Sequence, residues 1–129
     1  MQLNPYLIFD GQCKAAFRFY EQVLGGKIAA MMTYADTPMA EHTPSEMHDK
    51  IVHARLIVGD TVLMGSDDTA GRYEDMKGFS VTLNVDDPQE PERAFAALAA
   101  DGTVALPIQE TLWARRFGTP WMVNCEKPT

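Results

Sequence analysis

The strongest constraint on the fold is a layout written twice. From Tyr6 to Ile28 the chain reads YLIFDGQCKAAFRFYEQVLGGKI: an apolar strand-like run ending at Asp10, a helical pattern ending at Gly26, and a new strand opening at Ile28. From Phe79 to Val104 it reads FSVTLNVDDPQEPERAFAALAADGTV, with a strand to Asp86, a helix to Gly102 and a new strand at Val104. Asp10 and Gly26 are as far apart in sequence as Asp86 and Gly102. Identity between the copies is poor, so what recurs is a pattern of elements.

In the first copy, the spacing predicts a strand over Asn4 to Asp10, then a helix whose apolar residues fall at 13, 16, 17, 20, 23 and 24, one stripe of a 3.6-residue period. Gly25-Gly26 ends that helix, because glycine takes a left-handed C-cap without steric cost. A strand over Lys27 to Tyr34 follows. Ala35 to Asp49, ADTPMAEHTPSEMHD, has two prolines and no period and reads as a long loop. Lys50 to Val58 and Thr61 to Ser66 read as strands joined by a Gly59-Asp60 hairpin turn, and Asp67 to Lys77 as a linker.

The second copy opens on an alternation, with Phe79, Val81, Leu83 and Val85 apolar and Ser80, Thr82, Asn84 and Asp86 polar, so one face packs and the other is wet. Asp87-Pro88 with Glu90 resembles a capping box with proline at the first helical position. The helix runs to about Ala100, and Thr103 to Leu106, Thr111 to Phe117 and Trp121 to Cys125 are the remaining strands. The expected fold is α+β: two βαβββ modules, each burying one sheet face under its helix. A chain of 129 residues with 46% hydrophobic content accommodates both in one domain, with module 1 about 1–67, a linker over 68–77 and module 2 about 78–129.

A net charge of −7 and the lack of a basic patch argue against nucleic acid as a partner. No apolar run approaches the roughly 20 residues of a membrane span, and MQLNPYLIFDG lacks the features of a signal peptide, so a cytoplasmic protein without a membrane partner is expected. Cys13 and Cys125 then read as reduced thiols, Cys13 at an apolar helix position as core filler.

PYLIFDG, AFRFYEQVLGGKI, the IVHARLIVGDTVLMGSD hairpin and QETLWA followed by RFGTPWMVN resemble the vicinal oxygen chelate superfamily of glyoxalase, bleomycin-resistance and dioxygenase proteins, and within it the PhnB-like branch. The resemblance covers nearly the whole chain, and FGTPWMVN and the FDG-to-FY spacing are its most specific parts. It implies that the paired modules form an incomplete barrel around a cavity, commonly as a homodimer. In metal-using members four cavity strands each supply one His, Glu or Gln; here those positions fall at Pro5, Met64, Ser80 and Met122. None is a usual ligand, so neither metal nor other cofactor is expected. Relatives in this branch carry several more residues between the WA and FG-PW motifs, where this chain runs Trp113-Ala114-Arg115-Arg116-Phe117 with no turn residue. Either the hairpin is shortened or residues are missing there, and the turn chemistry favours the second. A name implying ubiquinone methyl transfer is attached to some relatives, but the glycine-rich nucleotide loop of common methyltransferase folds is not in the sequence.

His42, His48 and His53 with Glu41, Glu46 and Asp49 are the one cluster of metal-ligand residue types, but their spacing fits no short motif, and a solvated loop is the plainer reading. His53 sits in an expected strand, either as a hydrogen-bonding cavity group or as a satisfied core histidine. Ser66, Ser80, Thr82, Asn84 and Asn124 would line a cavity whose apolar wall is Leu7, Phe9, Met64 and Met122. An apolar pocket with a few fixed polar groups suits a small-molecule ligand. Trp113 could stack on a planar ligand, while Trp121 reads as core. The expected function is binding of a small, partly apolar molecule by a homodimer at Leu7, His53, Met64, Ser66, Ser80, Thr82, Trp113, Met122 and Asn124. The alternative is a divalent-metal lyase, isomerase or dioxygenase with non-standard ligands drawn from His53, His48, His42 and Glu46.

Overall fold

The computed structural model describes residues 1–75, 81, 93, 96, 97, 104–109 and 117–120. Strand β1 (Tyr6–Phe9) leads into helix α1 (Cys13–Leu24), followed by β2 (Lys27–Thr33), β3 (Ile51–Val58) and β4 (Thr61–Asp67). These four strands form one mixed sheet in the order β1-β4-β3-β2, with β1 parallel to β4 and the other pairs antiparallel. This is an α+β arrangement, with the helix crossing over to let β1 and β4 run side by side in the same direction.

Helix α1 has the limits its apolar period predicts. Cys13, Ala16, Phe17, Tyr20 and Val23 are its buried residues, and Gly25 closes it in the left-handed region at φ 69°. The stripe packs on Leu7, Phe9, Ile51, Ala54, Leu56 and Leu63 of the sheet. Phe9 and Phe17 meet edge to face with ring centroids 6.1 Å apart, a favoured aromatic geometry, and burying each side chain contributes about 1.5–3 kcal/mol. Gly65 makes the contact possible: a Cβ there would stand 2.8 Å from Phe17 Cε1 and 3.0 Å from the Leu7 carbonyl oxygen. A second tie runs from the helix to the sheet, where Glu21 Oε2 accepts from the backbone N–H of Ile28 at 2.7 Å.

Three short 3-10 helices, Tyr34–Asp36, Pro38–His42 and Ser45–Met47, occupy the segment expected as loop and take in Tyr34, the expected last residue of β2. Local side-chain bonds substitute for periodicity. Asp36 Oδ2 accepts from Thr33 N–H at 3.1 Å and from Thr33 Oγ1 at 2.8 Å, bonds that hold its carboxyl below the usual carboxylate range. Asp67, expected to begin the linker, is instead the last residue of β4 and is buried.

In the second copy, Arg93, Ala96 and Ala97 are helical, within the expected helix. The Arg93 guanidinium donates to the Val23 carbonyl oxygen at 3.0 Å, placing a cation at the C-terminal turn of α1. Strands β5 (Val104–Gln109) and β6 (Phe117–Pro120) form an antiparallel pair. Strand β5 runs past the expected end at Leu106, and its register breaks between Leu106 and Gln109, around Pro107, which has no N–H for the ladder. Gly118 to Pro120 fall between the expected strands ending at Phe117 and opening at Trp121; here they belong to β6, which ends at Pro120. The expected strand over Phe79 to Val85, most of Thr111 to Phe117 and all of Trp121 to Cys125 lie outside the described residues.

Candidate functional site

One face of the four-stranded sheet is filled by α1. The opposite face, open among the described residues, is where sequence-predicted site residues gather. Register sets its rows: Ala30, Arg55, Met64 and Tyr6 are successive partners across β2, β3, β4 and β1. The next row holds Met32 opposite His53, and Ser66 opposite Ile8. Side chains in register on neighbouring strands share a face, so these rows form one surface.

His53, Met64 and Ser66 are half-buried on this face. Tyr6, which sequence reasoning did not single out, joins them: its hydroxyl lies 3.5 Å from His53 Nδ1, a long hydrogen bond, and the rings tilt at 31° with centroids 6.0 Å apart. His53 therefore belongs to the open face rather than the core. The pair offers a ligand a phenol, an imidazole and flat aromatic surface.

Leu7 is a correction. Expected with Phe9 to line the cavity, it is 1% exposed and lies in the core beneath α1, as does Phe9. The residues of β1 that face the other way are Tyr6 and Ile8, and Ile8 is 40% exposed. The run YLIF has no polar residue to mark its wet side, so the phase of its alternation cannot be read locally. Ser80, Thr82, Trp113, Met122 and Asn124 lie outside the described residues.

The loop cluster proposed as an alternative metal site is not assembled. Among the described residues no three His, Cys, Asp or Glu side chains come together to hold an ion. His42 and Glu46 are exposed on separate turns. His48 Nε2 lies 3.0 Å from the Ala40 carbonyl oxygen and 2.9 Å from that of Thr43. Both partners are acceptors, so Nε2 carries the hydrogen and pins the two turns together. Of the positions where the resemblance places metal ligands, Pro5 and Met64 are described, and neither has a donor suited to a hard or borderline divalent ion.

Beneath the open face is a polar residue that sequence reasoning took for linker. Asp67 Oδ1 accepts from Cys13 N–H at 2.9 Å, and Oδ2 from Ile51 N–H at 2.8 Å. One carboxylate thus caps the first residue of α1 and anchors the start of β3. Burial pushes the Cys13 thiol far above its ordinary range and Asp67 pushes it further, so it is not a nucleophile.

The sequence pattern of the 3-demethylubiquinone-9 3-methyltransferase family matches residues 1–124. The chain belongs to that family. The chain is also similar to protein YjdN of Escherichia coli strain K12, 32% identical over 142 aligned positions that cover 98% of this chain and 97% of YjdN. The alignment is longer than this chain, so YjdN carries residues inside the matched region that this family member lacks. Among solved structures, protein PA1353 from Pseudomonas aeruginosa is 48% identical and superimposes with a TM-score of 0.84, covering 93% of this chain and 88% of that one. A Bacillus cereus PhnB protein, described as a putative 3-demethylubiquinone-9 3-methyltransferase, shares the fold at a TM-score of 0.74 and 18% identity, covering 92% and 88%. The four-stranded mixed sheet with its one helix is consistent with a glyoxalase-like fold. Among the described residues no helix is long and apolar enough to cross a membrane.

Proposed function

We propose that this family member is a small-molecule binding protein of the vicinal oxygen chelate superfamily, and that its open sheet face is one wall of the binding cavity. In this reading the chain is one domain, module 1 about 1–67 and module 2 about 78–129, whose sheets close into an incomplete barrel. Ser80, Thr82, Trp113, Met122 and Asn124 supply the opposite wall, and two copies associate as a cytoplasmic homodimer that needs neither metal nor cofactor. The observation that carries the reading is the composition of the open face: Met64 and Tyr6 offer apolar and aromatic surface, and His53 and Ser66 add hydrogen-bonding groups beside them. An apolar wall with a few oriented polar groups is what selects a small organic ligand.

A fragment screen followed by amide and methyl chemical-shift mapping tests this. Ligands should shift Tyr6, His53 and Met64, and Met64→Glu and Met122→Glu should each weaken them at least tenfold, with Ser80→Leu altering which fragments bind. Shifts confined to other surfaces, or unchanged in all three variants, would overturn the proposal.

A further inference from the structure

Arg55 stands in the middle of the open face on β3, which has a strand on each side. Its register partners are Ala30 on β2 and Met64 on β4. Neither can pair with a guanidinium, and the Arg55 side chain has no hydrogen bond or ion pair among the described residues. The small Ala30 side chain leaves room beside it, and Met64 continues the row to Tyr6.

Charge is sorted in the same way. On a chain of net charge −7, the open-face positions of these four strands hold two cations, Arg55 and Lys27, and no carboxylate. Lys27 is the register partner of Ile57, two residues beyond Arg55 on the same face of β3. Arg55 is exposed and has no side-chain partner among the described residues, and a guanidinium's planar fork matches carboxylate or phosphonate oxygens, while Met64 and Tyr6 beside it offer apolar surface.

We propose that the open face carries an oxyanion subsite centred on Arg55, which takes the carboxylate or phosphonate of a ligand whose apolar body lies over Met64 and Tyr6. The proposal rests on the cavity reading above and adds the chemical class of what the cavity takes: an organic acid with one apolar end. Lys27 adds long-range attraction, and His53 and Ser66, one row away, can bond a second polar group of the ligand.

Four probes of one shape test it by titration into the full chain, followed by NMR: benzoate, phenylphosphonate, benzamide and benzylamine. Benzoate or phenylphosphonate should bind at least tenfold tighter than benzamide, with benzylamine weakest, and should shift Met64 and Tyr6. The ratio of the first two distinguishes a carboxylate from a phosphonate preference. Arg55→Gln should abolish the preference for anions while leaving benzamide affinity within about twofold, and Arg55→Lys should keep part of it. Equal binding of benzoate and benzamide, or an anion preference that survives Arg55→Gln, overturns this inference and leaves the cavity reading standing. If no probe binds and the fragment screen also finds nothing on this face, both fall.

Discussion

Asp67 Oδ1 accepts a hydrogen bond from the backbone N–H of Cys13 at 2.9 Å, joining the end of β4 to the first residue of α1. The other oxygen holds Ile51 N–H at 2.8 Å. A buried carboxylate is costly when unpaired, and this one is satisfied by two backbone donors that would themselves be orphaned without it. Helix, sheet and open face are therefore positioned together by one side chain.

Asp67→Ala should destabilise the fold by about 3 kcal/mol, because it leaves two donors without their acceptor. Urea unfolding measures the loss. Hydrogen exchange should accelerate first at the Cys13 and Ile51 amides, and protection unchanged at both would refute the role given to Asp67.

Gly65→Ala should cost about 1–3 kcal/mol by overpacking, since the new methyl would lie 2.8 Å from Phe17 Cε1. Phe17→Leu in the same chain should recover part of the loss. A double-mutant cycle with no coupling between the two positions would count against that contact.

Cys13 should resist thiol reagents in the folded protein and react on unfolding, with Cys125 replaced by Ser to isolate the signal. Its thiol is raised in the folded state, so the unfolded chain loses that proton first as pH increases. Stability should accordingly be unaffected below the ordinary thiol range and fall above it. Cys13→Ala should flatten this alkaline slope, as read by unfolding midpoints at a series of pH values.

His48→Ala should loosen the turns between Pro38 and Met47, because the side chain bonds the Ala40 and Thr43 carbonyl oxygens. The expected cost is about 1 kcal/mol, with faster proteolysis inside that segment and no change in the core. Limited digestion followed by mass spectrometry identifies the cut. Unaltered cleavage would mean that the clamp does not hold the turns.

Much of the fold over residues 1–67 was legible in the sequence because its signals are local. The period of Cys13 to Leu24 and the glycine that closes it specify α1, and the Gly59-Asp60 turn specifies the β3-β4 hairpin. These depend on φ/ψ preferences and on which residues repeat at the period of a turn, quantities that neighbouring residues already determine. That His53, Met64 and Ser66 share one sheet face follows from the same alternation along β3 and β4.

What the tertiary structure decided was everything that needs a partner distant in sequence. Which side of YLIF faces the helix follows from pairing with β4, and that pairing sent Leu7 to the core and Tyr6 to His53. Asp67 read as linker because a charged residue after a strand is ordinarily solvated; only the approach of Cys13 and Ile51 gives its carboxylate donors away from water. Arg55, likewise, is an unremarkable strand residue until register sets Ala30 and Met64 beside it, neither of which answers its charge. Local sequence determines backbone preference, whereas burial and pairing are properties of surfaces that exist only once the strands have met.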